Sequence, residues 1–264
     1  MLEFKYASSA SQGARAYQED ACAVWPGTGS LVPAGNTRPP DGTSLVAVLA
    51  DGMGGHAGGA IASVTICGMF LQHFVGATGS GPARLSPSLT AANDAIRAKV
   101  RASASLAGMG ATLVGAVIGA AGLSWISVGD SPMYLFRNGE LAQLNEDHSL
   151  APVIDKLLEQ GKITAEEARA DPRRHYLRSA VSGEEIEMID APERPVQLVG
   201  GDIVVISSDG IHTLEPDDIR RVIASYKGDG AAAIADALVR NVDNAGAVHQ
   251  DNTTVIVITV AETG

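Results

Sequence analysis

The chain has 264 residues, of which 45% are hydrophobic and 19% are charged. This composition supplies enough apolar side chains for a packed core, which excludes a mainly disordered chain. Thirty acidic side chains against nineteen basic ones give a formal net charge of -11. Because such a protein repels phosphate backbones and anionic headgroups, the charge argues against nucleic acid and membrane partners.

The length predicts one domain covering residues 1–264. Cys22 and Cys67 form no CxxC pair, and a chain of this size needs no disulfide to fold, so both thiols are expected to be reduced. Residues 1–12 lack the apolar region of a signal peptide. The longest apolar stretch, at 111–123, is shorter than the ~20 residues that span a bilayer. We therefore expect a cytoplasmic monomer.

Short β-branched segments bounded by Gly, Pro, Asn or Asp predict the strands. The predicted strands lie at 21–25, 43–50, 112–119, 123–128, 133–137, 202–207 and 252–260, and the serines near residue 10 are typical of a strand edge. Asn138-Gly139 predicts a hairpin after the fifth of these strands. Residues 26–43, with four prolines and four glycines, are expected to form a surface loop.

Helical patterns separate groups of consecutive strands. They lie at 59–74, 88–106, 150–159, 164–169, 216–225 and 230–242. Ser88 is the expected N-cap of the second helix, and Thr164 with Glu167 is expected to form a capping box. Grouped strands with helices between the groups predict an α+β sandwich.

Carboxylates at the ends of apolar strands are the strongest chemical signal. Asp51 directly follows one such strand and Asp209 closely follows another. Four more carboxylates occupy equivalent positions: Glu19, Asp20, Asp130 and Asp251. An unpaired charge at the rim of a core is costly, and few Lys or Arg residues are nearby in sequence. Each residue alone is also explained as a turn or cap residue, but the set predicts Mg²⁺ or Mn²⁺ as the counter-charge.

Two other sites compete with this interpretation. Zinc is disfavoured because the chain has no HExxH motif and no paired cysteines. Residues 51–57 also match the GxGxxA fingerprint of dinucleotide-binding proteins. That fingerprint needs an acidic residue about twenty positions further on, and residues 52–93 contain none.

Arg15 and His56 are the candidate catalytic residues. Arg15 stands four residues before Glu19 and is either a bidentate clamp on a phosphate or a surface arginine. His56 follows the glycine-rich turn after Asp51, where it is either a proton donor to a leaving alkoxide or a solvated loop histidine.

The order of the motifs resembles the bacterial metal-dependent protein phosphatases of the protein phosphatase 2C family. The matching segments are RAYQED at 15–20, VLADGMGGH at 48–56, GMGAT at 108–112, VGDS at 128–131, DHS at 147–149, SSDG at 207–210 and DN at 251–252. They occur in the family's order over nearly the whole chain. Three positions depart from the family pattern, Gln18, Ala111 and Pro132, and the family uses none of them as a metal ligand.

The resemblance implies a four-layer α-β-β-α sandwich with a dinuclear site at one end and a flap at about 150–175. It implies two Mn²⁺ or Mg²⁺ ions bridged by Asp51, with the Gly52 carbonyl on one ion and Asp209 and Asp251 on the other. By the same resemblance, Glu19 and Asp20 hold metal-bound waters and Asp130 holds a weaker third ion. The resemblance also implies that Arg15 binds the substrate phosphate.

The function implied is hydrolysis of phosphoserine and phosphothreonine in proteins, by in-line attack of a metal-activated water, reversing the action of a Ser/Thr kinase. Phosphorylated proteins and a cognate kinase are the expected partners. Two alternatives stay open: a catalytically weak phosphoprotein-binding module of the same fold, and a hydrolase of small phosphoesters.

Overall fold

Two antiparallel sheets form the centre of the computed structural model, which describes residues 2–27, 30–32, 43–54, 57–119 and 121–263. The five-stranded sheet has the order β1 (Leu2–Ser11), β11 (Thr253–Glu262), β10 (Ile203–Ser207), β8 (Met133–Arg137), β9 (Glu140–Gln143). The four-stranded sheet has the order β2 (Ala21–Trp25), β3 (Thr43–Ala50), β6 (Leu113–Gly119), β7 (Gly122–Val128). A short ladder joins β4 (Gly52–Met53) to β5 (Gly110–Ala111).

Three layers of apolar side chains pack against these sheets, one between them and one on each outer face. Each sheet contributes to two layers because successive side chains of a strand point to opposite faces. Leu45 and Leu49 of β3 pack into the layer between the two sheets. Val46 and Val48 of the same strand point the other way, into the layer beneath α1 and α2. Since β3 is buried on both faces, its near-continuous apolar sequence is explained, and the predicted sandwich is confirmed.

Helices cover both outer faces. They are α1 (Ala57–Gly76), α2 (Gly81–Ala102), α3 (Ala151–Glu159), α4 (Ala165–Ala170), α5 (Pro216–Tyr226) and α6 (Ala231–Asn244). α1 and α2 lie on the four-stranded sheet, whereas α5 and α6 lie on the five-stranded one. By length and composition, Gly58–Gly76 is apolar enough to cross a membrane, which the sequence reading missed. In this fold α1 instead supplies Ile66 and Phe70 to the core.

Local signals in the sequence had different outcomes. The Asn138-Gly139 hairpin is confirmed, since Arg137 pairs with Glu140 and both turn residues have positive φ. The capping box of Thr164 and Glu167 at the start of α4 is also confirmed. Only residues 26–27, 30–32 and 43 of the predicted 26–43 loop are described, and residue 43 already belongs to β3.

The predicted start of the second helix was wrong. α2 begins after Ser80, and Ser88 lies inside it, fully buried, with its hydroxyl donating to the Arg84 carbonyl at 2.7 Å. The helix continues through Pro87, and one turn earlier Arg84 stacks over the Phe74 ring at 4.2 Å.

The predicted flap contains α3, α4 and a 3₁₀ turn at Pro172–His175. α3 contacts both α4 and the turn. The segment rejoins the body of the protein at Tyr176, whose carbonyl accepts a hydrogen bond from Leu150 N–H at 3.0 Å.

Candidate active site

One cleft of about 680 Å³ brings together most of the residues singled out from the sequence. Six of the predicted site residues line it: Arg15, Asp51, Gly52, Asp130, Asp209 and Asp251. Glu19 and Asp20 are not among the lining residues and are largely buried: the Glu19 side chain is 13% exposed, with its Oε2 3.9 Å from Arg15 Nη1, and Asp20 is 9% exposed. His56 is outside the described residues.

Strand direction explains this convergence. β2 and β3 are antiparallel with Ala21 opposite Ala50, so Asp20 before β2 and Asp51 after β3 share one end of the sheet. In the facing sheet, β10 and β11 are also antiparallel. Asp209 after β10 and Asp251 before β11 therefore share one end too. Both ends meet at the same end of the sandwich.

The carboxylates destabilise each other's charged forms. Burial, followed by repulsion from Asp209, raises the pKa of Asp51 well above its usual value. Burial and the same neighbour raise the pKa of Asp130 to about 8. Burial raises the pKa of Asp20 to about 6 although Ser208 Oγ donates a hydrogen bond to it at 2.7 Å. The pKa of Asp209 itself is raised by burial and by Asp251.

Three buried carboxylate oxygens have no hydrogen-bond partner among the described residues. They are Glu19 Oε1, Asp20 Oδ1 and Asp209 Oδ1. Buried polar atoms are normally satisfied, and orphaned anionic oxygens facing like charges are the donors that hard divalent cations bind. Within the described ranges, no group of three His, Cys, Asp or Glu side chains is close enough to hold an ion by itself. The unpartnered carboxylate oxygens suit Mg²⁺ or Mn²⁺ that keep several water ligands.

A layer of hydrogen bonds orients the acidic residues. The Asp51 N–H donates to Thr112 Oγ1 at 2.9 Å, and the Thr112 N–H donates to the Asp51 carbonyl at 2.9 Å. The Asn252 N–H donates to Asp251 Oδ1 at 2.7 Å, while its Oδ1 accepts from the Glu19 N–H at 2.8 Å. Asn252 thus ties the segment before β2 to the start of β11, so the carboxylates are positioned by the fold itself.

Arg15 is half-exposed at the mouth of the cleft. Its Nη2 donates to the Asp251 carboxylate, and its Nη1 lies 3.9 Å from Glu19 Oε2. The hydrogen bond to Asp251 raises the pKa of Arg15, so the guanidinium is firmly charged. A cation at this place meets any anion that enters the cleft.

Several cleft residues were not predicted from the sequence. The cleft is also lined by His175, Tyr176, Arg178, Glu185 and Glu187. His175 is the last residue of the predicted flap and the other four follow it in sequence, and none of the five belongs to a recognised motif. The only signal for them was the prediction of a flap beside the site.

Neither cysteine is a candidate nucleophile. Both Cys22 and Cys67 are free, as expected. Burial raises the pKa of both thiols, most strongly for the fully buried Cys67. A thiolate is the reactive form, so the cleft chemistry falls to its oxygen and nitrogen groups.

The sequence matches the profile of the family described as protein phosphatase 2C over residues 34–250. The serine/threonine protein phosphatase PstP of Mycobacterium tuberculosis is 33% identical over 224 residues, which cover 84% of this chain and 41% of PstP. The chain thus spans less than half the length of that relative. The serine/threonine phosphatase stp of Listeria monocytogenes is 30% identical over 81% of this chain and 83% of its own length.

Solved structures of phosphatases are also similar to this chain. The crystal structure of the Mycobacterium tuberculosis phosphatase PstP has a TM-score of 0.77 at 30% identity and covers 99% of this chain and 100% of that chain. The catalytic domain of PstP in complex with two manganese ions has a TM-score of 0.76 at 30% identity, with the same coverage of 99% and 100%.

Proposed function

The chain belongs to the protein phosphatase 2C family, and from this premise we propose that it hydrolyses phosphoserine and phosphothreonine in proteins with Mn²⁺ or Mg²⁺. The observation that carries the proposal is the set of buried carboxylates with unpartnered oxygens at one end of the sandwich. Without cations these groups only repel each other. With cations they hold a concentrated positive charge at the cleft floor, which suits an incoming phosphate dianion.

The carboxylates divide into three groups by position. Asp51, Asp209 and Asp251, with the Gly52 carbonyl, are proposed to hold two cations directly, and Asp51 is close enough to Asp209 and Asp251 for their charges to interact. Glu19 and Asp20 are proposed to orient water ligands, since neither lines the cleft but each has a buried carboxylate oxygen without a hydrogen-bond partner among the described residues. Asp130 is proposed to hold a weaker third cation with Asp209. When bound, the cations activate a water for attack on phosphorus and neutralise charge in the transition state.

Arg15 is proposed to bind the substrate phosphate. Its guanidinium presents a planar pair of donors at the cleft mouth, and that geometry matches two phosphate oxygens. The Asp251 carboxylate that now accepts its hydrogen bond is itself a proposed cation ligand. Arg15 is therefore free to exchange that carboxylate for phosphate once a cation takes its place.

Among the other functions considered, a binding module without catalysis would not need the complete acidic set that the cleft retains. Phosphoproteins are proposed as substrates, in opposition to a Ser/Thr kinase. The net charge of -11 and the two free thiols support a cytoplasmic protein that does not bind nucleic acid.

Phosphate release from p-nitrophenyl phosphate and from a phosphothreonine peptide, with and without Mn²⁺ or Mg²⁺, tests the proposal. We expect turnover that requires the added ion and is lost in EDTA. Asp209→Asn should remove nearly all turnover, whereas Asp229→Asn, in an exposed Asp-Gly turn, should not. Full activity after dialysis against EDTA would refute the metal centre. Hydrolysis of the small ester alone would favour a small-molecule phosphatase.

A further inference from the structure

Residues 178–187 form an extended wall of the cleft that is fixed to the body of the protein. The Arg178 N–H donates to the His148 carbonyl at 2.8 Å. Val181 and Ala111 exchange two backbone hydrogen bonds, at 2.9 and 3.1 Å. Because these contacts lie outside the flap helices, the wall keeps its position whether or not the flap moves.

The wall presents a consecutive series of side chains to the cleft. Arg178, Ser179, Ala180 and Ser182 line it, followed after the positive φ of Gly183 by Glu185 and Glu187. Val181 and Gly183 are buried in the fold. Ile186, between the two glutamates, packs against the core beneath α1 and α2. The cleft face of the wall is therefore basic at one end, small and neutral in the middle, and acidic at the other end.

Arg178 differs from Arg173 and Arg174, the two arginines that precede it in the sequence. Arg173 pairs with Asp171 at 2.6 Å, and Arg174 pairs with Asp155 at 2.6 Å. Among the described residues, Arg178 has neither an ion pair nor a side-chain hydrogen bond, although it is exposed in the cleft. Its guanidinium therefore has no structural partner to lose when it meets an anion.

The glutamates at the other end are also without ion pairs within the described residues. The floor carboxylates and Arg15 already account for the cations and the scissile phosphate. Arg178, Glu185 and Glu187 are left as charged side chains of the same cleft to which no role has been assigned.

We infer that this wall binds the substrate as an extended phosphopeptide of fixed charge polarity. An anionic group flanking the scissile phosphoresidue, either a carboxylate or a second phosphate, contacts Arg178, and a basic side chain on the other flank contacts Glu185 and Glu187. This inference rests on the proposed function and names its substrate class.

Phosphothreonine peptides of one length and one central sequence test the polarity. Four peptides carry glutamate on the N-terminal side with arginine on the C-terminal side, the reverse arrangement, glutamate on both sides, or arginine on both sides. A fifth replaces the glutamate of the better mixed peptide with phosphoserine, and mass spectrometry reports which phosphate leaves. The measurement is kcat/KM with Mn²⁺ for the wild type and for the variants.

We expect one mixed peptide to exceed its reverse by at least about fivefold in the wild type, the size of a contact worth about 1 kcal/mol. Arg178→Ala should lose the preference for the anionic flank, and Arg178→Glu should replace it with a preference for arginine there. Glu185→Gln combined with Glu187→Gln should lose the preference for the basic flank only. Arg169→Ala, on the exposed side of α4 and outside the cleft, is the matched control and should keep the wild-type ratio. The fifth peptide separates a carboxylate from a second phosphate at Arg178.

Equal kcat/KM for the two mixed peptides, or a ratio that Arg178→Ala and Arg178→Glu leave unchanged, would overturn the inference. Failure of the proposed function would give a different result. Neither the peptides nor p-nitrophenyl phosphate would then be hydrolysed with Mn²⁺, whereas failure of the polarity inference alone would leave all peptides hydrolysed at similar rates.

Discussion

Replacing Asp209 with asparagine should stabilise the metal-free protein above neutral pH while removing its response to Mn²⁺. Of the charged neighbours, Asp209 contributes most to the raised pKa of both Asp51 and Asp130. One of its own oxygens is buried without a partner. Asparagine keeps the shape of the side chain but removes the charge, so mutual repulsion falls without a cavity forming in the core.

The size of the effect follows from Asp130. Its pKa is raised from 3.8 to about 8, and one pKa unit corresponds to about 1.4 kcal/mol. Ionising Asp130 in the folded protein therefore costs on the order of 5 kcal/mol. Burial is the largest cause of the raised pKa and Asp209 is the next. Removing the Asp209 charge should therefore raise the free energy of unfolding by about 1 to 2 kcal/mol. In a protein of this size that raises Tm by roughly 2 to 8 °C.

The pH at which the gain appears is fixed by the direction of the shifts. The folded protein keeps protons on Asp20 and Asp130 that the unfolded chain releases above about pH 4. Stability of the metal-free protein therefore falls as the pH rises toward about 8. Below about pH 4 the carboxyls are protonated in both states, so the variant should gain nothing there.

Thermal melts in EDTA at pH 5 and pH 8, each repeated with Mn²⁺, measure this directly. Asp229→Asn changes an exposed Asp-Gly pair in the same way and serves as the control. The reasoning is refuted if Asp209→Asn melts no higher than wild type at pH 8 without metal, or if Mn²⁺ raises the Tm of both proteins equally.

Three further outcomes are expected. The rise in wild-type Tm on adding Mn²⁺ should be larger at pH 8 than at pH 5, because cations compete with protons for raised-pKa carboxyls; equal rises at both pH values would contradict this. Arg15→Ala should raise KM for a phosphopeptide by roughly ten- to a hundredfold with a smaller change in kcat, since it loses a contact present in both the ground and transition states. Arg15→Lys should restore part of the lost affinity. Steady-state kinetics with an unchanged KM would make Arg15 an ordinary surface residue. Gly115→Ala should cost about 1 to 3 kcal/mol in denaturant unfolding because its Cβ meets the Phe70 ring, whereas Gly228→Ala, with open space around it, should cost far less.

Strand ends were the most predictable part of the site. Asp51 and Asp209 follow apolar strands that are buried on both faces, and antiparallel pairing brings such ends together. The turn at Asn138-Gly139 was equally predictable, because few residue pairs tolerate positive φ. In each case the signal is local to a few residues, so no knowledge of distant contacts is needed.

The cleft wall was not predictable because distant contacts determine it. Arg178 reaches the cleft through single bridges, Ser149 with Leu177 and Ala111 with Val181, that carry no turn signal and no periodic run. The wrong start of α2 has a related cause. Ser88 was predicted to be a cap because the sequence does not show that Arg84, four residues earlier, is buried over the Phe74 ring and already belongs to the helix.

The pairing of β1 with β11 has a consequence for the order in which the acidic site is assembled during folding. Leu2 pairs with Glu262 and Ser11 with Thr253, so this edge of the sheet forms only when both segments have met. Contacts this far apart in the chain form slowly. Asp251 and the Asn252 link to Glu19 depend on that last strand. The set of carboxylates is therefore complete only once the segments at 2–20 and 251–262 have come together.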